Sequence, residues 1–413
     1  MFEIDPQIFT LSNGLRVVYQ RRDVFVAHMA IMFKAGSRYE DARTEGLAHF
    51  VEHTIFKGTT SRDSIAILTE LDSVGGELNA YTNKEELCLH ASFRKVHLSI
   101  AAGLLGDIVQ NPTFPQKELK KEKEVIKDEI NSYLDSPSER IFDDFEGLLY
   151  KDHPLGYNIL GTKKSLDGLT REDTLNFVQE LFTAENAVIS VVGNFEETEL
   201  KSLLETNFGK MPISDTGNEF AGYDSKKNER FVVTEPNANY QAHVLLGGLA
   251  PVKTASDRRA MTLLMNYLGG PAMNARLVML IREKHGYAYN IEANYTPYHE
   301  TGFWTIYAGT DEKYIDKTSE LILGELEDLA TNGMSAEDLT QAKEQLKGHV
   351  ALSLDSNQEL MFYAAKNLLF HDRIDGIGMI YKQIDSINGK EIKALSQEIF
   401  NPTKISSLIY SLR

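Results

Sequence analysis

Apolar positions alternate with polar ones in some stretches of this chain and recur every three to four residues in others. The switches between these periods mark its elements. Asn13-Gly14 is a hairpin-turn signal, and the β-branched and aromatic run Leu15-Arg16-Val17-Val18-Tyr19 after it reads as a strand. A second strand is expected over 27–34. Thr44-Glu45-Gly46 then opens a helix that runs through His53, and another helix over 64–73 stops at Gly75-Gly76. Strands over 77–82 and 86–92 follow, then long amphipathic helices over 96–109 and 116–135. Apolar runs at 187–192 and 244–250 read as buried strands, because each is far shorter than the ~20 apolar residues a bilayer span requires.

The second half resembles the first. Displaced by 220 residues, Leu119 meets Leu339, Glu124 meets Glu344, Lys127 meets Lys347, Asp135-Ser136 meets Asp355-Ser356 and Leu148-Leu149 meets Leu368-Leu369, all without a gap. The simplest account is two copies of one α+β fold, each an antiparallel-rich sheet with helices packed on one face. Between the copies, 211–229 is crowded with Pro212, Asp215, Gly217, Asn218, Gly222 and Lys226-Lys227-Asn228, the composition of a linker. The expected division is therefore 1–210, a linker over 211–229, and 230–413.

Composition narrows the function classes. With 413 residues, two domains of ordinary size are expected. Lys plus Arg number 43 against 60 Asp plus Glu, a net charge of −17. That balance argues against a nucleic-acid backbone as partner. The single cysteine, Cys88, excludes an internal disulfide and suits a reducing compartment; its alternating surroundings place it as a small buried thiol on a strand. Met1 to Pro6 carries no basic or apolar signal region, so the sequence points to the cytoplasm, with no membrane partner.

The chemistry concentrates in His49-Phe50-Val51-Glu52-His53. On a helix advancing about 100° per residue, the two imidazoles and the carboxylate fall on one face. Two neutral imidazoles at i and i+4 suit Zn²⁺, which in a catalytic site takes a third protein ligand and keeps one open position. Glu52 is then placed to act as a base. A chance pattern on a solvated helix is the competing reading. The apolar neighbours Leu47, Ala48, Phe50 and Val51 argue against it, since buried imidazoles and a buried carboxylate need partners. The acidic helix 116–135 is the source of a third ligand. Glu122 and Glu129 share one face, about 20° apart, and geometry alone does not choose between them. At the 220-residue offset the trio falls on Gly269, Ala272 and Met273, and no His-x-x-Glu-His occurs in the second half.

Two further stretches complete the pattern. Gly269-Gly270-Pro271-Ala272-Met273-Asn274-Ala275-Arg276 reads as a loop leading into a helix and then a strand, carrying Arg282 and Tyr289 seven residues apart. Gly75-Gly76-Glu77-Leu78-Asn79-Ala80-Tyr81-Thr82 reads as a turn and a strand.

With Phe56-Lys57-Gly58-Thr59 downstream of Gly46-Leu47-Ala48-His49-Phe50-Val51-Glu52-His53, the chain resembles the pitrilysin-type M16 zinc metallopeptidases, or inverzincins. The likeness is to their two-domain subfamily, which includes mitochondrial processing peptidase, and it covers nearly the whole chain. It implies a clamp of two homologous domains and one Zn²⁺ per chain. The ligands it implies are His49, His53 and Glu129, with Glu122 supporting a ligand and Glu52 activating a zinc-bound water. It also implies that Arg282 holds substrate carbonyls, that Tyr289 stabilises the oxyanion, and that Asn79 and Ala80 pair with the substrate backbone; a plain strand aromatic and a plain strand are the alternatives there. Pro271 departs from the glycine that relatives often carry. The implied activity is that of an endopeptidase on extended or unfolded peptides. With the zinc motif and the Arg/Tyr pair in one chain, a homodimer is the implied assembly. The rival reading is a non-catalytic peptide-binding or scaffold subunit of the same fold.

Overall fold

The computed structural model describes residues 5–213, 220, 222–237, 240–252 and 254–412. The chain forms two compact units that are discontinuous in sequence: 1–131, 157–221 and 351–377 make the first, and 132–156, 222–350 and 378–413 the second.

The first unit is built on six strands: β1 (Gln7–Thr10), β2 (Arg16–Arg21), β3 (Val26–Phe33), β4 (Glu77–Thr82), β5 (Leu87–Arg94) and β6 (Ala187–Gly193). Their order is β1-β2-β6-β3-β5-β4, antiparallel throughout except for β2 and β6. The second unit has β7 (Val232–Pro236), β8 (Ala242–Leu249), β9 (Ala288–Pro297), β10 (Gly302–Thr310) and β11 (Ser406–Ser411), in the order β7-β11-β8-β10-β9. Its one parallel pair is β7 with β11. With β1 set aside, the two sheets have the same order and the parallel pair in the same place. The repeat therefore extends from sequence to topology, as expected of a mixed α and β fold in two copies.

Each sheet is covered on both faces, which the one-faced expectation did not include. In the first unit Ala27, Met29, Ile31 and Phe33 of β3 face one core, shared with the helices Leu47–Thr54 and Leu98–Gln110. Ala30 and Met32, pointing the other way, are equally buried, and the helix Asn357–His371 packs against β3 and β6. In the second unit Val244, Leu246, Trp304 and Ile306 serve one core, whereas Leu245, Phe303 and Tyr307 meet the helix Pro137–Leu149 through Ile141, Phe145 and Leu149. Strands apolar on both faces require such double cover.

The covering helices correct the contiguous division at 210 and 230. The helix Asn357–His371 comes from the second half of the sequence yet belongs to the first unit, and Pro137–Leu149 does the reverse. Each starts 220 residues from the other, so they are the same element of the repeat, exchanged. On the exchanged helix Leu360, Met361, Ala364, Ala365, Leu368 and Leu369 are buried. Each large side chain among them contributes about 1.5–3 kcal/mol, which secures the exchange. Arg16 donates to the Leu368 carbonyl at 3.0 Å, and Lys366 pairs with the buried Glu86 at 2.8 Å. The expected linker lies partly at 214–219 and 221, outside the described residues; within it the units part between 221 and 222.

Candidate metal centre

The motif occupies a helix of eight residues, Leu47–Thr54. Leu47, Ala48, Phe50, Val51 and Thr54 are buried, anchoring one side of the helix in the core. His49, Glu52 and His53 share the other side. The Thr54 hydroxyl donates back to the Phe50 carbonyl at 2.5 Å, and the chain tightens into a 3₁₀ turn at Ile55–Lys57.

The partner helix, Gln116–Leu134, buries Leu119, Ile126 and Ile130. Glu122, itself buried, and Glu129 lie beside that stripe, about 70° around the helix, and face the histidines. Glu129 Oε2 lies 3.7 Å from His49 Nε2 and 3.5 Å from His53 Nε2. Glu122 instead approaches the other nitrogen of His53, with Oε2 at 3.4 Å from Nδ1 and Oε1 at 2.8 Å from Lys57 Nζ. The two glutamates that share a helical face are thus separated by the ring they address. Glu118 and Glu124 turn away and pair with Lys121 and Lys127.

His49, His53 and Glu129 are the residues whose ligand atoms converge, all within 4.8 Å of one another. Burial, helped by His53, pushes the His49 imidazole down to about 3, so it is neutral at physiological pH. A neutral ring 3.7 Å from a carboxylate gains neither an ion pair nor a short hydrogen bond. His49 Nδ1 is also buried without a hydrogen-bond partner among the described residues. Tetrahedral Zn²⁺, with ligands at about 2.0–2.1 Å, separates its donors by about 3.4 Å. Two imidazoles, that of His49 neutral, and one carboxylate at these separations suit that ion.

Glu52 lines the groove beside the trio with His53, Phe56, Lys57, Leu78, Asn79, Ala80 and Glu122. Burial raises its pKa above the usual carboxylate range; the Thr82 hydroxyl and His53 pull it down, and Glu129 adds to the rise. Strand β4, which carries Asn79 and Ala80, is the edge of its sheet. Alternation turns Ala80 and Leu78 to the motif-helix core and Asn79 to the other face.

Similarity to known proteins follows the same lines. A family model described as Insulinase (Peptidase family M16) matches residues 16–163, and one described as Peptidase M16 inactive domain matches 168–346. The uncharacterized zinc protease YmxG of Bacillus subtilis is 31% identical, covering 97% of this chain and 97% of its own. The chain belongs to peptidase family M16. An uncharacterized zinc protease of Mycobacterium leprae is 30% identical over 95% of this M16 chain and 88% of its own length. Among solved structures, a protease from Helicobacter pylori superposes with a TM-score of 0.89 at 19% identity, covering 99% of this chain and 100% of that one. A peptidase M16 inactive domain from Pseudomonas fluorescens gives 0.88 at 19% identity, covering 99% and 98%. The shared M16 fold is thus that of both structures.

In the second unit of this M16 chain, Arg282 lies on a π-helical turn, Val278–His285, and Tyr289 on β9. The reversal at Gly286, φ +67°, brings them together, with the guanidinium 4.9 Å from the centre of the Tyr289 ring. Both are open to solvent, Tyr289 at 78% exposure. The loop before them is tied down by Arg276 to Glu325 at 2.6 Å and by Gln345 to Asn274 at 2.8 Å. Cys88 is fully buried on β5. No helix among the described residues is long and apolar enough to cross a membrane. Sequence reasoning gave no role to Lys57 or to Glu40. Lys57 had a usable signal in the Phe56-Lys57-Gly58-Thr59 stretch, whereas Glu40 acts on backbone N–H groups and leaves none.

Proposed function

We propose that this chain is a zinc-dependent endopeptidase acting on extended or unfolded peptides, with one Zn²⁺ held by His49, His53 and Glu129. The observation that carries this reading is the convergence of two imidazole nitrogens and a carboxylate at 3.5–3.7 Å, with His49 held neutral. When bound by these three residues, zinc would supply Lewis acidity for a peptide carbonyl and for water. Glu52, whose pKa burial raises towards the working range of a base, takes a proton from the attacking water and passes it to the leaving amine. Glu122 orients His53 and is itself held by Lys57. The free edge of β4 receives the substrate main chain at Asn79 and Ala80, which reads backbone and tolerates many side chains. Arg282 holds substrate carbonyls, and the Tyr289 hydroxyl donates to the developing oxyanion. Two copies pair as a homodimer, working in the cytoplasm.

The rival reading, a non-catalytic peptide-binding subunit, draws on the name of the family model matched over 168–346. The metal-ligand trio lies outside that stretch. The deciding experiment is a mass-spectrometric digest of a mixed peptide library by wild type and Glu52→Gln, with the zinc content of both. Cleavage by wild type alone, with zinc in both, is expected. Zinc absent from wild type even after reconstitution would overturn the peptidase reading and favour the subunit one.

A further inference from the structure

The first turn of any helix leaves backbone N–H groups without intrahelical partners, and a side-chain oxygen of the N-cap residue ordinarily takes one. The motif helix cannot use that device. Its N-cap is Gly46, at φ +89°. A Cβ there would lie 2.9 Å from both Gly161 Cα and the Leu160 carbonyl oxygen, backbone atoms that cannot swing aside. No residue with a capping side chain fits at the point where the metal-bearing helix begins.

The acceptors come from elsewhere. Glu40 Oε2 accepts the Gly46 N–H at 2.8 Å, and its Oε1 accepts the Ala48 N–H at 2.7 Å. The carboxyl group is almost completely buried. Its own position is firm. Glu40 follows the turn Ser37–Tyr39, where Arg38 N–H donates to the Lys84 carbonyl at 2.8 Å. Gly36 lies so close to the 83–84 backbone that a Cβ would sit 2.4 Å from the Asn83 carbonyl oxygen. The turn is thereby fastened to the β4–β5 connection.

The two histidines of the motif are held differently. His53 has Glu122 at its Nδ1. His49 Nδ1 is buried and has no such partner among the described residues. Ala48, whose N–H Glu40 holds, is the residue immediately before His49. We infer that Glu40 is a positioning residue of the metal centre: it pins the first turn of the motif helix and thereby aims His49 Nε2, as Glu122 aims His53. This rests on the zinc-site reading above.

The test is the zinc dissociation constant, measured by chelator competition on folded apo-protein, for wild type, Glu40→Gln and Glu146→Gln. Glutamine keeps the size of Glu40 but sets an NH₂ against one of two backbone N–H groups. We expect zinc to bind Glu40→Gln about 10–100-fold more weakly, the range typical of residues that orient a ligand. Glu146→Gln removes a buried carboxylate of the second unit, which accepts from the Tyr298 hydroxyl and has no part in the motif helix or the turn before Glu40; it should lower Tm and leave zinc affinity unchanged. A Glu40→Gln affinity within twofold of wild type, with wild type binding zinc, would overturn the positioning role and spare the metal centre. Wild type that binds no zinc would overturn both. Glu40→Asp, one methylene short of reaching both N–H groups, serves if Glu40→Gln does not fold. It should weaken zinc in the same direction, and a wild-type affinity would overturn the role equally.

Discussion

Glu122 bridges His53 and Lys57, with one carboxylate oxygen 3.4 Å from Nδ1 and the other 2.8 Å from Nζ. It addresses the ring from the side opposite Glu129, which predicts different outcomes for two glutamates on one helix. Glu129→Ala should abolish stoichiometric zinc binding. Glu122→Ala should keep zinc but weaken it about 10–100-fold, because the ring loses orientation rather than a donor being lost. Metal analysis and chelator competition on both variants decide it. Equal loss in the two would mean that Glu122 is a ligand.

What was legible in the sequence follows distance along the chain. His49, Glu52 and His53 lie within two helical turns, so helix geometry alone places them on one face. The repeat was legible because its matching residues sit on equivalent helices. The choice between Glu122 and Glu129 was not geometric: 20° of helical face does not tell which nitrogen of a distant histidine each carboxylate meets. The exchange of Pro137–Leu149 and Asn357–His371 was also hidden, since apolar periodicity shows that a helix packs on a core but not on which sheet. Glu40 left no signal, because its partners are main-chain groups.

The exchanged helix offers a stability test. Lys366 sits on Asn357–His371 and pairs with Glu86, which is 3% exposed and otherwise accepts from Asn83. Lys366→Ala leaves that carboxylate without its cation. Lys366 is itself half exposed, so water moderates the cost, and we expect about 1–2 kcal/mol in urea unfolding. The double variant Lys366→Ala with Glu86→Gln should recover part of the loss. A neutral single variant would show that the pair does not help to hold the helix.

Glu40 sets a pH dependence. Burial pushes its carboxyl up to about 8, although the Ala48 and Gly46 N–H groups and Lys84 pull it down. The folded protein therefore keeps a proton that the unfolded chain has lost above the ordinary carboxylate range. The resulting stabilisation is complete below that range and disappears as pH rises through about 8. Glu40→Gln does not titrate at this position. The Tm of metal-free wild type, relative to that of Glu40→Gln, should accordingly fall between pH 5 and pH 8.5. A difference constant over that interval would show that the group ionises normally.

Arg282 and Tyr289 test whether the second unit takes part in catalysis. Neither belongs to the unit that carries His49, His53 and Glu129, so changing either should leave zinc content as in wild type. Tyr289→Phe keeps the ring over which the Arg282 guanidinium lies at 4.9 Å and removes only the hydroxyl. If that hydroxyl donates to the oxyanion, kcat should fall by about 10²–10³ with KM little changed. Arg282→Ala should raise KM as well, because a guanidinium that holds substrate carbonyls does so in the ground state. A packing role predicts otherwise: a ring at 78% exposure contributes little to the core, so both variants would show near-normal kinetics and at most a small change in Tm. The measurement is kcat and KM on one peptide, alongside zinc content and Tm. A folded, zinc-replete Tyr289→Phe enzyme within about threefold of wild-type kcat, a margin well inside the loss expected for an oxyanion donor, would remove Tyr289 from the mechanism.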